Sequence, residues 1–155
     1  MLKAYKYRIY PNREQQLYLA KTFGSVRFIY NRMLADKINH YKETETMLKN
    51  TPAPYKKKFD WLKEVDSLAL ANAQLNLDKA YKNFFRDPKA GFPKYKSKKT
   101  NNNSYTTNNQ KGTISAQDGF LRIPKLKSKI RIKLHRPFTG RIKSCTLSKT
   151  PSLEQ

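Results

Sequence analysis

Lys129 to His135 reads KIRIKLH. Ile130, Ile132 and Leu134 alternate with Lys129, Arg131, Lys133 and His135, and a period of two marks a strand with one buried face. A single strand cannot satisfy its backbone or bury that face alone, so it requires partners. Its neighbours supply some. GTISAQDGFLRIPKL (112–126) reads as two short strands around a turn at Asp118-Gly119, and GRIKSCTLSK (140–149) as a further strand. At the other end of the chain, Leu2 to Tyr10 also alternates, with Tyr5, Tyr7 and Ile9 opposed to Lys6 and Arg8, and Pro11 ends it. That first strand is a candidate partner for the last ones.

The sequence between these β segments is helical. Asn12 suits an N-cap, with Gln15 three residues on as a variant capping box. Leu17, Ala20, Gly24, Phe28, Met33, Leu34, Ile38 and Tyr41 recur at helical spacing, and Leu19, Phe23, Val26 and Tyr30 form a second stripe. Gly24-Ser25 in the middle predicts two helices, about Arg13 to Phe23 and Ser25 to Glu43, or one kinked helix. Thr51-Pro52-Ala53-Pro54 is a break, followed by a loop or short helix. Asp60 and Asp66 are possible caps, and SLALANAQLNLDKAYKNFFR (67–86) is a helix whose stripe is Leu70, Ala73, Leu77, Tyr81 and Phe84. Asp87-Pro88 stops it. The expected fold class is therefore α+β: a small β-module made of 1–11 and 89–150, interrupted by a helical insertion over 12–88.

At 155 residues the chain has a one-domain length, or two small modules at most. Lys plus Arg number 33 against 11 acids, a formal charge of +22. This exceeds what solubility requires and opposes compaction, so a polyanionic partner is implied. Nucleic acid fits best, and an anionic membrane surface is the rival. Between Asp87 and Glu154 the only acid is Asp118, so the cationic surface is the distal one. Aromatic residues make up 12% of the chain, more than a disordered basic tail carries. No apolar run reaches the roughly 20 residues of a membrane span, and the N-terminus does not have the pattern of a signal peptide. Cys145 is the single cysteine, which excludes an internal disulfide and a cysteine-based zinc site and makes the cytoplasm the default compartment.

Catalysis is poorly served by these residues. A metal-dependent nuclease needs converging carboxylates, whereas Asp36, Glu43, Glu45, Asp78 and Asp87 lie on helices or helix ends among charged neighbours. His40 reads as a surface or dipole-facing histidine, His135 as a phosphate contact at most, and Cys145 as a small core residue. No catalytic residue, metal site or cofactor is indicated. Binding is better served. Lys129, Arg131 and Lys133, preceded by Lys125 and Lys127, form a ladder with about 7 Å between alternate residues, comparable to phosphate spacing along a strand. In FPKYKSKKTNNNSYTTNN (92–109), Lys94, Lys96, Lys98 and Lys99 can neutralise phosphates. Tyr95 and Tyr105 can stack on bases or cover the core. Thr106, Thr107, Asn108 and Asn109 are short hydrogen-bonding side chains of the kind that read base edges, though a polar surface loop has the same composition.

The stretches YKYRIYPNREQQ, FGSVRFIYNRML, WLKEVDSLALANAQLNLDKAYKNFF, GFPKYKSKK followed by SYTTNN, LRIPKL and GRIKSCTLSKTPS, in this order and spacing, resemble the N-terminal part of the OrfB/TnpB family. These are transposon-encoded proteins related to type V CRISPR effectors. The resemblance implies a β-barrel-like wedge interrupted by a helical recognition insertion, with a helix-turn-helix-like start at 12–43. It implies RNA-guided recognition, with guide-type RNA and target-adjacent duplex DNA as partners. By position, Ser67 to Gln74 and Thr107 to Asn109 resemble the parts that face the duplex. The family's RuvC-type acids and four-cysteine zinc ribbon have no counterpart here, so the expected activity is non-catalytic binding by a truncated wedge and recognition part that lacks its closing strand. The alternatives are an RNA-independent DNA-binding regulator of the parent element and a non-functional relic.

Overall fold

The computed structural model describes residues 2–100 and 103–149. Residues 150–155, on which the expectation of a missing closing strand rests, lie outside them. The order is β1 (Ile9–Tyr10), α1 (Arg13–Thr44), α2 (Pro52–Lys58), a 3-10 turn at Asp60–Glu64, α3 (Ser67–Arg86), then β2 (Ser104–Asn108), β3 (Ser115–Gln117), β4 (Phe120–Arg122), β5 (Ile130–Ile132) and β6 (Ser144–Ser148). This is an α+β fold. Short 3-10 turns at Pro88–Ala90 and Lys98–Thr100 link α3 to β2.

The expected pairing of the first strand with the last ones is present. β1 runs antiparallel to β5, with Ile9 opposite Ile132 and Tyr10 opposite Arg131. Only two residues of the expected Leu2–Tyr10 strand take part. The sheet continues in the order β1-β5-β4-β3, and β2 pairs with β6 in a separate two-stranded sheet. The expected barrel is thus not closed among the described residues: the strands divide between two sheets with open ends. Asp118 and Gly119 form the two-residue turn between β3 and β4, with φ of 55° and 79°. Positive φ at both positions matches the right-handed strand twist, and Asp-Gly tolerates it.

α1 begins as predicted. Asn12 Oδ1 accepts from the Gln15 amide at 2.8 Å, and the Asn12 amide donates back to Gln15 Oε1 at 2.9 Å. Gln15 Nε2 also donates to the Lys129 carbonyl at 3.0 Å and lies 2.9 Å from Ser128 Oγ, which ties the helix start to the approach to β5. Of the two expectations, two helices or one kinked helix, the single helix is the one found: α1 passes through Gly24 as one helix of 32 residues. A lone mid-helix glycine costs about 1 kcal/mol, and burial of Phe23, Val26, Ile29 and Tyr30 around it outweighs that. Both stripes contribute to the core: Leu19, Phe23, Val26 and Tyr30 of the second are buried, as are Met33 and Leu34 of the first, while Leu17, Ala20 and Tyr41 are exposed.

α3 follows its sequence limits. Asp66 caps it by accepting from Leu68 N–H at 2.9 Å, and Asp87 ends it before Pro88. Its face Ala69, Leu70, Ala73, Leu77 and Tyr81 packs on α1. Tyr105, Ile114, Leu121, Ile123, Ile130 and Leu147 extend the same core into the sheets. Lys37 is buried in α1 and donates to the Leu48 carbonyl at 2.8 Å, which holds the loop after α1.

Candidate nucleic-acid interface

β2 was not legible as a strand, yet it decides which of the predicted residues are available. Asn109 N–H donates to the Lys143 carbonyl and Lys149 N–H to the Asn103 carbonyl. Odd-numbered residues of β2 therefore form the hydrogen-bonded pairs with β6. The backbone of Thr106 points away from β6, and its carbonyl accepts from Asn72 Nδ2 of α3 at 3.0 Å. The same nitrogen lies 2.7 Å from Asn108 Oδ1 and 2.9 Å from the Leu68 carbonyl. One amide thus fastens α3 along the open edge of β2.

A groove of about 130 Å³ runs beside this junction, lined by Arg27 and Tyr30 of α1, Ala69, Asn72, Ala73 and Asn76 of α3, and Lys96, Ser104 and Thr106. Asn72 and Asn76 are one turn apart and share a face. Ala69 and Ala73 keep the floor low. Lys96 is fixed twice: its amide donates to Asn31 Oδ1 and its carbonyl accepts from Asn31 Nδ2, each at 2.8 Å, and its ammonium lies 4.8 Å from the Tyr30 ring centroid. Arg27 donates to Asn103 Oδ1 at 2.6 Å. The groove offers amides, hydroxyls and two cations, and no carboxylate lines it among the described residues.

Several predicted site residues are not free to read bases. Tyr105 is 4% exposed and sits edge-on to Phe23 at 5.8 Å, so it covers the core. Burial pushes its phenol far above the usual range. Thr107 is fully buried and donates to Asp66. Asn109 donates to the Ile142 carbonyl at 2.8 Å and accepts from Ile114 N–H at 3.2 Å, so both ends of its amide are engaged. The reason is the strand itself, whose period of two turns 105 and 107 inward. Asn108 is half-buried and accepts from Asn72. Ser67 is exposed at the start of α3, and Gln74 reaches Asp78 at 3.5 Å; neither lines the groove. Thr106, named among the short polar side chains, and Asn72, within the Ser67 to Gln74 stretch, do line it, as do Arg27, Asn76 and Ser104, which were not singled out. The visible signal was an Asn pair at i, i+4 between small residues.

The basic residues stand where alternation put them. Lys125, Lys127, Lys129, Arg131 and Lys133 are exposed, as are Lys94, Lys98 and Lys99. Ile130 on the opposite face is fully buried. The outward residues of the smaller sheet are uncharged: Ser104 opposes Ser148, Thr106 opposes Thr146 and Asn108 opposes Ser144. Cys145 packs against the core, and burial raises its thiol to about 11. His40 lies 3.2 Å from Thr46 Oγ1 at the end of α1, and the His135 ring is edge-on to Tyr7 at 5.3 Å. Among the described residues, no helix is long and apolar enough to cross a membrane.

Comparison with known proteins gives this arrangement a context. A family model described as the helix-turn-helix domain of the OrfB proteins matches residues 1–46, a region that is β1 followed by the single helix α1. Virulence protein VsdF of Salmonella dublin is 41% identical over 113 residues, covering 63% of this chain and 95% of that protein. A Streptomyces pristinaespiralis protein named "Putative RNA-guided DNA endonuclease" is 31% identical over 144 residues, and InsQ of Escherichia coli K12, similarly named, is 29% identical over 161 aligned positions. These matches cover 87% and 96% of this chain but only 35% and 38% of the two relatives, so the chain spans little more than a third of their length. Sequence motifs, family model and relatives agree: the chain belongs to the OrfB/TnpB family.

Proposed function

We propose that this chain is a binding module that faces target-adjacent duplex DNA with the α3–β2 groove and guide-type RNA with its basic strands. In this reading base pairing selects the target and protein contacts read only a short neighbouring motif. No bond-breaking step is assigned to any residue described. The reading rests on the groove, where amides and hydroxyls that can pair with base edges lie beside Lys96 and Arg27, on a chain of charge +22. The names of the two longer relatives favour an RNA-guided role over RNA-free regulation.

The test is anisotropy titration against duplexes that vary one short motif. Asn76→Ala should reduce discrimination between motifs by about 1–3 kcal/mol at one base pair. Lys96→Ala should weaken all duplexes about equally and flatten the salt dependence. An Asn76→Ala protein that discriminates like the parent would remove the groove as a reader. Sequencing the nucleic acid that co-purifies in low salt tests the RNA half. One discrete RNA is expected, and random host RNA would count against it.

A further inference from the structure

The outer face of the four-stranded sheet carries a feature distinct from the groove. The registers place Tyr10 opposite Arg131, Arg131 opposite Phe120, and Phe120 opposite Gln117, so these four residues form one row on one face. Directly opposed residues share a face and stand about 5 Å apart. Tyr10 and Phe120 therefore flank Arg131 with roughly two strand spacings between them, about 10 Å. Tyr10 is 47% exposed and Phe120 43%. Neither ring stacks on another ring of the described residues. The core needs neither, because the opposite face of the same strands supplies Ile9, Leu121, Ile130 and Ile132.

The charged residues that the register sets beside the row on this face are cations, and the nearest acid in the sequence is Asp118 in the β3–β4 turn. Lys133 N–H donates to the Arg8 carbonyl at 3.1 Å, which continues the register and sets exposed Arg8 and Lys133 side by side. Arg122 and Lys129 lie two residues from Phe120 and Arg131 on the same face, and both are exposed. Two open aromatic rings within a field of cations do not suit an apolar protein partner, which would strand those charges. They suit a flexible polyanion that carries flat rings. We infer that this face is a platform on which unpaired nucleobases stack, with Tyr10 and Phe120 each taking a base and Arg131 between them. The inference rests on the nucleic-acid reading above but assigns a different surface and a different state of the strand. A duplex hides the flat faces of its bases, so base-paired nucleic acid cannot use these rings.

The experiment is fluorescence anisotropy on the full chain with labelled oligo-U and oligo-dT of about 12 nucleotides, a length suited to a stacking groove. An abasic phosphodiester of the same length and charge is the control. The unsubstituted protein should bind the base-bearing probes more tightly than the abasic one. Tyr10→Ala and Phe120→Ala should each weaken the base-bearing probes by roughly 5- to 150-fold, the range of one lost base–aromatic stack, and leave the abasic probe and the salt slope unchanged. Tyr10→Phe should retain binding, and Tyr10→Leu, which keeps apolar area without a flat π-face, should not; this pair decides the matter if an alanine variant unfolds. Preference for oligo-U identifies RNA as the strand held and preference for oligo-dT identifies DNA, each in support. Equal affinity for base-bearing and abasic probes, or alanine variants that bind like the parent, would overturn the platform. Duplex binding through the groove is measured separately, so the platform can fail while the groove stands, and the reverse.

Discussion

Replacing Asp66 with alanine breaks two buried interactions at once. Oδ1 accepts from Leu68 N–H at 2.9 Å and caps α3, and Oδ2 accepts from the Thr107 hydroxyl. Loss of a cap costs about 1 kcal/mol. Thr107 is fully buried, so its hydroxyl would be left without a partner, at about 1–3 kcal/mol. Asp66→Ala should therefore destabilise the protein by roughly 2–4 kcal/mol, a large part of the 5–15 kcal/mol of a typical domain. Asp66→Asn should cost less than about 1.5 kcal/mol, since asparagine caps as well and its amide can donate to the threonine oxygen. Thr107→Val strands the carboxylate instead of the hydroxyl. The double variant Asp66→Ala/Thr107→Val leaves neither group orphaned, so it should cost less than the two singles added, with a coupling of about 1–2 kcal/mol. Urea denaturation at constant m-value measures all four proteins. Additivity within about 0.5 kcal/mol, or an Asp66→Ala cost below that, would refute the assignment of this pair as the joint between α3 and β2.

Two further outcomes follow from charge. Substituting Lys129, Arg131 and Lys133 with alanine should flatten the log-log salt dependence of nucleic-acid binding by about 0.7–0.9 per lost phosphate contact, and an unchanged slope in salt titrations would remove β5 from the site. Lys37 is pushed below the usual lysine value by burial, partly countered by Asp78. Below that lowered value both folded and unfolded chains hold the proton and the cost of burying the charge is fully present. As pH rises through it towards 10.5 the folded state sheds the proton first, so stability rises. Urea melts between pH 8 and 10 should show the parent gaining on Lys37→Met across that window, and parallel curves would show that the burial cost is absent.

Local rules carried the sequence reading where short-range chemistry dominates. Asn12 with Gln15, Asp66 before α3, Asp87-Pro88 after it and Asp118-Gly119 all bond within a few residues, and each stands where its residue type requires. The alternation of KIRIKLH survived because one face could be buried and the other could not. Failures lie where the deciding partner is distant. Thr107 turns inward to meet Asp66, 41 residues earlier in the chain. Tyr105 turns inward to meet Phe23. A polar run with Tyr105 and Thr107 at alternate positions gives only a faint period-two signal, so β2 reads as a loop. The two stripes of α1 were equally helical, and only the position of α3 and the sheets selects which residues of each are buried.

That same burial narrows which residues can confer specificity. β2 looked like the reader because it is rich in Asn and Thr, but folding consumes most of those groups: Thr107 is spent on Asp66, Asn109 on Ile142 and Ile114, and the Asn108 oxygen on Asn72. Asn72 in turn shares its two amide protons among the Leu68 and Thr106 carbonyls and Asn108 Oδ1, which leaves only its oxygen, an acceptor, for a ligand. An amide that only accepts can pair with donors such as the exocyclic amino groups of adenine and cytosine, not with N7 or O6 of guanine. Exposed Asn76, one turn further on, is the groove amide that no hydrogen bond among the described residues limits, and it can both donate and accept. The division of labour that results is a strand that fixes the height of the groove and a helix face that carries its recognition chemistry.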